Sequence, residues 1–219
     1  MVLIKSLLTG QAFKKLSEKG SENSSNNGKS KADENRGMER ATARVFVALT
    51  LHHRAKFSLS QNRIRLGRAA YHWGLLLMPE APNDDCCAAF DVSDGPQPDP
   101  NTRADLNPNR DWIFRNKNPV SPVMIGSLIG RVIIGEMDSN TSVAEVGTLL
   151  RSLPLPAKDT GPPENCVTWT LNAVLALQSA GLAYAFDIEE FAEWALSYGD
   201  VCMDKPGNNI CDYADVVSS

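Results

Sequence analysis

The hydrophobic residues of this 219-residue chain change their spacing part-way along it. In the first part they come in short runs: Arg44–Leu51, Tyr71–Met78, Ala88–Gly95, Asp111–Arg115 and Met124–Met137. Runs of this length, rich in Val, Ile, Phe and Trp, predict strands. Turn signals at Asp94-Gly95 and Asn118-Pro119, and a Pro/Asn-rich loop from Gln97 to Arg110, separate them. Glycines inside the last run predict a bulge or a close backbone approach. From Ser142 onward the period becomes helical. Ser142 and Glu145 have capping-box spacing, and Val143, Val146, Leu149, Leu150 and Leu153 share one face. Pro154 and Pro156 stop that helix. A second helix opens after Asn165 and is apolar on most sides from Leu171 to Leu182, which predicts a central, buried position. A third starts at Asp187, with Phe191, Trp194 and Ala195 turned inward.

Strands first and helices second predict an α+β fold: a mostly antiparallel sheet of about five strands with helices packed on one face. Residues 1–40, rich in Ser, Asn, Lys, Glu and Gly, read as a disordered N-terminal arm. A single domain is expected over 41–200 and an irregular tail over 201–219.

Composition narrows the function classes. Apolar residues make up 42% of the chain, enough for a sizeable core, yet no run of eighteen is apolar, so no membrane span is expected. Met1–Leu8 has no basic region before it, which argues against a secretory signal. The net charge of −4 gives no general drive towards nucleic acid. Locally, Lys56, Arg63, Arg65 and Arg68 form a basic connection. It reads as a solvated face with scattered ion pairs or as a contact for an anionic carrier or tRNA. Five cysteines, odd in number and without CxxC spacing, suggest neither a zinc site nor a disulfide framework. No metal or cofactor is expected, and a cytoplasmic location is. Cys86-Cys87 read as bystanders.

Chemistry concentrates at Cys166. Pro162 and Pro163 stop what precedes, and Asn165 is a good N-cap, so the thiol falls in the first helical turn. Unsatisfied N–H groups and the helix dipole there favour a thiolate. A nucleophilic thiol needs a base, and the chain has three histidines. His52 and His53 read as loop residues. His72, on a rigid strand, is the candidate base, with a backbone-satisfied imidazole as its plainer reading. Trp112 and Trp194 read as core.

The pair of motifs His72-Trp73-Gly74 and Asn165-Cys166-x-x-Trp169 resembles circularly permuted papain-like thiol enzymes. This is the permuted branch of the NlpC-type superfamily, with lecithin retinol acyltransferase relatives and PPPDE peptidases. Ordinary papain-like folds place the Cys helix before the His strand; here, as in the permuted branch, the order is reversed. The resemblance covers roughly residues 42–197 in architecture but only the two motifs in sequence. The chain also looks like uncharacterised fungal single-domain proteins. The resemblance implies Cys166 as nucleophile, His72 as base and Asp91 as the residue orienting the imidazole, with Asp94 in reserve. Trp169 stands where relatives often carry Phe. Trp73, Trp169 and Asn165 are the expected substrate-binding residues.

The function expected is thus a cysteine-dependent hydrolase or acyl/aminoacyl transferase. It would act on a small-molecule or peptide acyl substrate, with the Cys166 N–H as one oxyanion donor. Two alternatives stay open: a binding module that keeps the fold without turnover, and an interaction protein using its N-terminal arm.

Overall fold

The computed structural model describes residues 44–81, 86–121, 126–205, 207 and 209–218. The arm expected over residues 1–40 lies outside them. Six strands, β1 (Val45–His53), β2 (Tyr71–Pro79), β3 (Cys87–Ser93), β4 (Ile113–Val120), β5 (Leu128–Met137) and β6 (Ile210–Asp212), form one sheet. Their order is β4-β3-β2-β1-β5-β6. Every pairing is antiparallel except β5 with β6. The α+β architecture read from the sequence is therefore the one present.

Alternation along each strand divides the residues between two faces. Val47, Leu49 and Leu51 of β1, Trp73, Leu75 and Leu77 of β2, and Phe90 and Val92 of β3 belong to the main core. Helices α2 (Val143–Arg151), α3 (Cys166–Ser179) and α4 (Ile188–Asp204) pack onto that face through Val146, Leu150, Trp169, Ala173, Leu177 and Phe191. The opposite face carries a smaller apolar cluster of Leu76, Met78, Cys87 and Ile133. Completely buried large side chains such as Trp73 and Phe191 each contribute roughly 2–3 kcal/mol on removal from water.

The glycines of β5 do mark irregular pairing. The β1–β5 register shifts between Val47 and Ala48, opposite Gly135, and between Leu51 and His52, beyond Gly130. A Cβ at Gly135 would stand 2.2 Å from the Leu182 carbonyl oxygen, so the α3–α4 connection lies directly on the strand there. Tyr184 N–H then donates to Ile134 O at 2.7 Å.

Several expectations are corrected. His52 and His53 are strand residues, because β1 runs on to pair them with His72 and Tyr71. Asn118-Pro119 lies within β4 as a cis peptide instead of forming a turn. The basic connection contains a helix, α1 (Ser60–Leu66), between two 3-10 turns. The tail is not irregular: α4 extends to Asp204, β6 adds the sixth strand, and α5 (Tyr213–Val217) closes the described chain. Tyr213 supplies the reason, since its ring packs against Phe186, Phe191 and Trp194 at 4.9–5.1 Å.

Candidate active site

Asn165 caps α3 as its residue type predicts. Its Oδ1 accepts from Val167 N–H at 2.8 Å, and its own N–H donates to Thr168 Oγ1 at 3.3 Å. Cys166 is therefore the first residue of a well-held helix, and it is 2% exposed. Its sulfur meets β2 where that strand loses a neighbour. The β2–β3 ladder covers only Leu75–Leu77, leaving Tyr71–Gly74 without a β3 partner. The freed Trp73 N–H and the His72 ring both lie close enough to the Cys166 sulfur to favour its thiolate.

His72 belongs to a polar stripe that crosses four adjacent strands. His52 of β1 is the direct cross-strand partner of His72 on β2, with ring centroids 5.8 Å apart. On β3, Asp91 Oδ2 lies 3.4 Å from His72 Nε2. Arg115 of β4 is the direct partner of Asp91 and grips both its oxygens, with Nη2 to Oδ2 at 2.8 Å. The same Nη2 is 3.4 Å from His72 Nε2, and Lys117 Nζ is 4.0 Å from Asp91 Oδ2.

The charges follow from this geometry. For Asp91, burial opposes ionisation, but hydrogen bonds from His72 and Arg115 prevail and hold the carboxyl well below the usual carboxylate range. For His72, burial also disfavours charge, yet the bonds to Asp91 and Cys166 outweigh it and raise the imidazole to about 9. For Cys166, burial favours the neutral thiol. The His72 hydrogen bond and charge, the Trp73 N–H and the Arg54 guanidinium together pull it below its ordinary value. Arg54 is fixed by its Nη1, which donates to Ala69 O at 2.6 Å. The arrangement favours a thiolate beside an imidazolium over a neutral thiol beside a neutral imidazole.

A family model described as a family of unknown function (DUF6914) matches residues 43–203. The chain belongs to that family. The matched span runs from just before β1 to near the end of α4, so Cys166, His72, Asp91 and Arg115 all lie within the DUF6914 region. No curated protein and no solved structure matches the chain.

The remaining expected site residues are placed differently. Trp73 is fully buried, its Nε1 donating to Arg68 O at 3.0 Å, and Trp169 is 1% exposed against Phe114. Both are core side chains, which corrects the substrate-lining role expected of them: their rings are consumed in joining α3 to the sheet. Asn165 does line an open groove of about 470 Å³, together with Leu66, Arg68, Val167, Leu171 and Ile188. Asp94 is not within the charged cluster. Arg63 and Arg68 are engaged inside the molecule, Arg63 with Asp200 and Asp204, Arg68 with Glu189 and Glu193. The ion-pair reading of that segment is the one realised for these two arginines. Sequence reasoning missed Arg115, Lys117 and Arg54. Their signal lay in strand register, which fixes who stands opposite Asp91.

Among the described residues, no group of three or more His, Cys, Asp or Glu side chains is arranged to hold a metal ion. None of the five cysteines is in a disulfide. No described helix is long and apolar enough to cross a membrane.

Proposed function

We propose that Cys166, His72 and Asp91 form a thiol nucleophile, base and orienting acid for acyl transfer through a thioacyl-enzyme. The observation that carries the reading is that one imidazole stands between the sulfur at the α3 N-terminus, whose pKa it lowers, and a buried carboxylate 3.4 Å from its Nε2. The order of His strand before Cys helix fits the permuted papain-like arrangement.

The thiolate attacks an ester, thioester or amide carbonyl, and the tetrahedral oxyanion faces the Cys166 N–H, which the Asn165 cap leaves free by binding Val167 N–H. The imidazolium gives its proton to the leaving group as the carbon–heteroatom bond breaks. His72 then takes a proton from water or another acceptor, which attacks the thioester and releases Cys166 as the thiolate, while His72 keeps the proton. Substrate enters along the groove beside Asn165 and Val167, the neighbours of the sulfur. Cysteines held outside disulfides suit a reducing compartment, consistent with a cytoplasmic protein.

A fold that binds without turnover has one observation in its favour, the 2% exposure of Cys166. Iodoacetamide labelling of Cys166 separates the two. The acyl-transfer reading expects labelling that is fast below pH 7 and slowed in His72→Ala. A rate that rises only near the ordinary thiol value, about pH 8.5, and ignores His72 would overturn it.

A further inference from the structure

Behind His72, on the sheet face away from the helices, lies a separate cavity of about 230 Å³. Thr50, His52, Ala89, Asp91, Lys117 and Val120 line it. The room exists because position 74 has no side chain: a Cβ there would stand 3.1 Å from Asp91 Cβ and 3.2 Å from Thr50 Oγ1.

Among the described residues, the polar groups lining this space are unbalanced towards donors. Thr50 is 3% exposed, and its hydroxyl makes no hydrogen bond to another described residue. The His52 Nδ1 lies 3.4 Å from the Ser127 hydroxyl. With that hydroxyl donating, the proton of the neutral ring sits on Nε2, for which no described residue is an acceptor. Among the described residues, Lys117 Nζ has only the long 4.0 Å approach to Asp91. Among the described residues lining the cavity Asp91 is the single acid, and Arg115 and His72 already engage its oxygens. Arg115, Lys117 and the His72 imidazolium thus face one carboxylate. The excess is felt by His52: burial first, then His72, with Lys117 and Arg115 adding to it against Asp91, lower the ring to about 3. Ala89 and Val120, part of the apolar cluster on this face, supply a nonpolar wall.

We propose that this cavity binds a small carboxylate, its oxygens taken by Thr50 Oγ1–H, His52 Nε2–H and Lys117 Nζ, and its short apolar body against Ala89 and Val120. The size suits it, since a void of about 150 Å³ already holds benzene. The carboxylate is either a free acid or the far end of an acyl substrate whose other end reaches Cys166. The binding itself does not depend on turnover at Cys166.

The test titrates acetate, propionate and butyrate into the full chain while following the His52 ring by NMR, with chloride at equal ionic strength as control. A saturable His52 shift, a raised His52 pKa in the complex, and binding weakened about tenfold in Lys117→Gln and several-fold in Thr50→Val support the site. Thr50→Val preserves shape, and its thermal unfolding confirms the fold. No shift beyond that of chloride, or a shift undiminished in both variants, overturns the proposal. Two thioesters then assign the source. A preference for one with a terminal carboxylate over its uncharged analogue, lost in Lys117→Gln, assigns the site to the substrate. Equal rates on the two assign it to a free acid. Absence of any turnover, with the His52 titration intact, would sink the acyl-transfer reading and leave the carboxylate site standing.

Discussion

Gly74 lets Asp91 reach His72: the Asp91 Cβ stands 3.1 Å from where a side chain at position 74 would begin. Phe90 O and Thr50 Oγ1, at 3.1 and 3.2 Å from that point, close the other directions. Gly74→Ala must therefore displace Asp91 or strain two strands. The expected result is a loss of about 1–3 kcal/mol in urea unfolding, with a His72 pKa below its wild-type value by NMR. An unchanged His72 titration would show that Asp91 does not need this clearance.

Asp91→Asn removes the charge that supports the imidazolium and leaves Arg115 facing a neutral amide. Arg115 is partly exposed, so the loss falls below the roughly 3–5 kcal/mol of a fully buried pair broken from one side, and the His72 pKa falls from about 9. The Cys166 alkylation profile should move to higher pH with it. Urea midpoints and the labelling profile check both.

The two shifted groups set opposite pH limits on stability. His72 has a folded pKa above its ordinary 6.5, so its contribution is complete below that value and is lost as pH rises through about 9. Asp91 is depressed below its ordinary 3.8, so its contribution is complete above that value and is lost on further acidification. Unfolding midpoints should form a plateau between these limits, and the alkaline decline should vanish in His72→Gln.

On the proposed acyl-transfer reading Arg115 is a positioning residue, acting on His72 chiefly by fixing the oxygens of Asp91. Arg115→Gln should cost about 10² in the rate of acyl transfer if Asp91 swings by an ångström. Arg115→Lys should restore charge without the two-pronged grip. A shift in the pH profile for Arg115→Gln that Arg115→Lys partly reverses is the signature; equal stability loss without a profile change would leave Arg115 structural.

His52 and His72 are cross-strand partners that should titrate about six units apart, near 3 and near 9. Their ring resonances report this directly. Overlapping titrations between pH 6 and 7 would contradict the environment described for both.

What the sequence revealed was local. Asn165 and the Ser142–Glu145 box announced their helices through residue type and spacing, and Cys166 and His72 stood out against a chain poor in such groups. What it hid depended on distant pairing. Arg115 sits beside Asp91 only because β4 takes one particular register, and nothing local to Asp111–Arg115 fixes that register. The end of α4 was hidden for a similar reason. Gly199 breaks the apolar pattern, yet it is buried where the helix passes over Tyr71 and Leu51, with a Cβ there only 3.1 Å from the Tyr71 ring. The tryptophans misled because an aromatic beside a reactive group serves equally well as mortar.

Among the described residues β4 is the outermost strand on its side, and its exposed positions carry Asn116, Lys117 and Asn118. Charged and amide side chains on such a border discourage another chain from adding itself to the sheet. Lys117 therefore guards against self-association as well as facing the cavity. A variant that trades Lys117 for an apolar residue would make the rim adhesive, and its first symptom in the tube would be clumping.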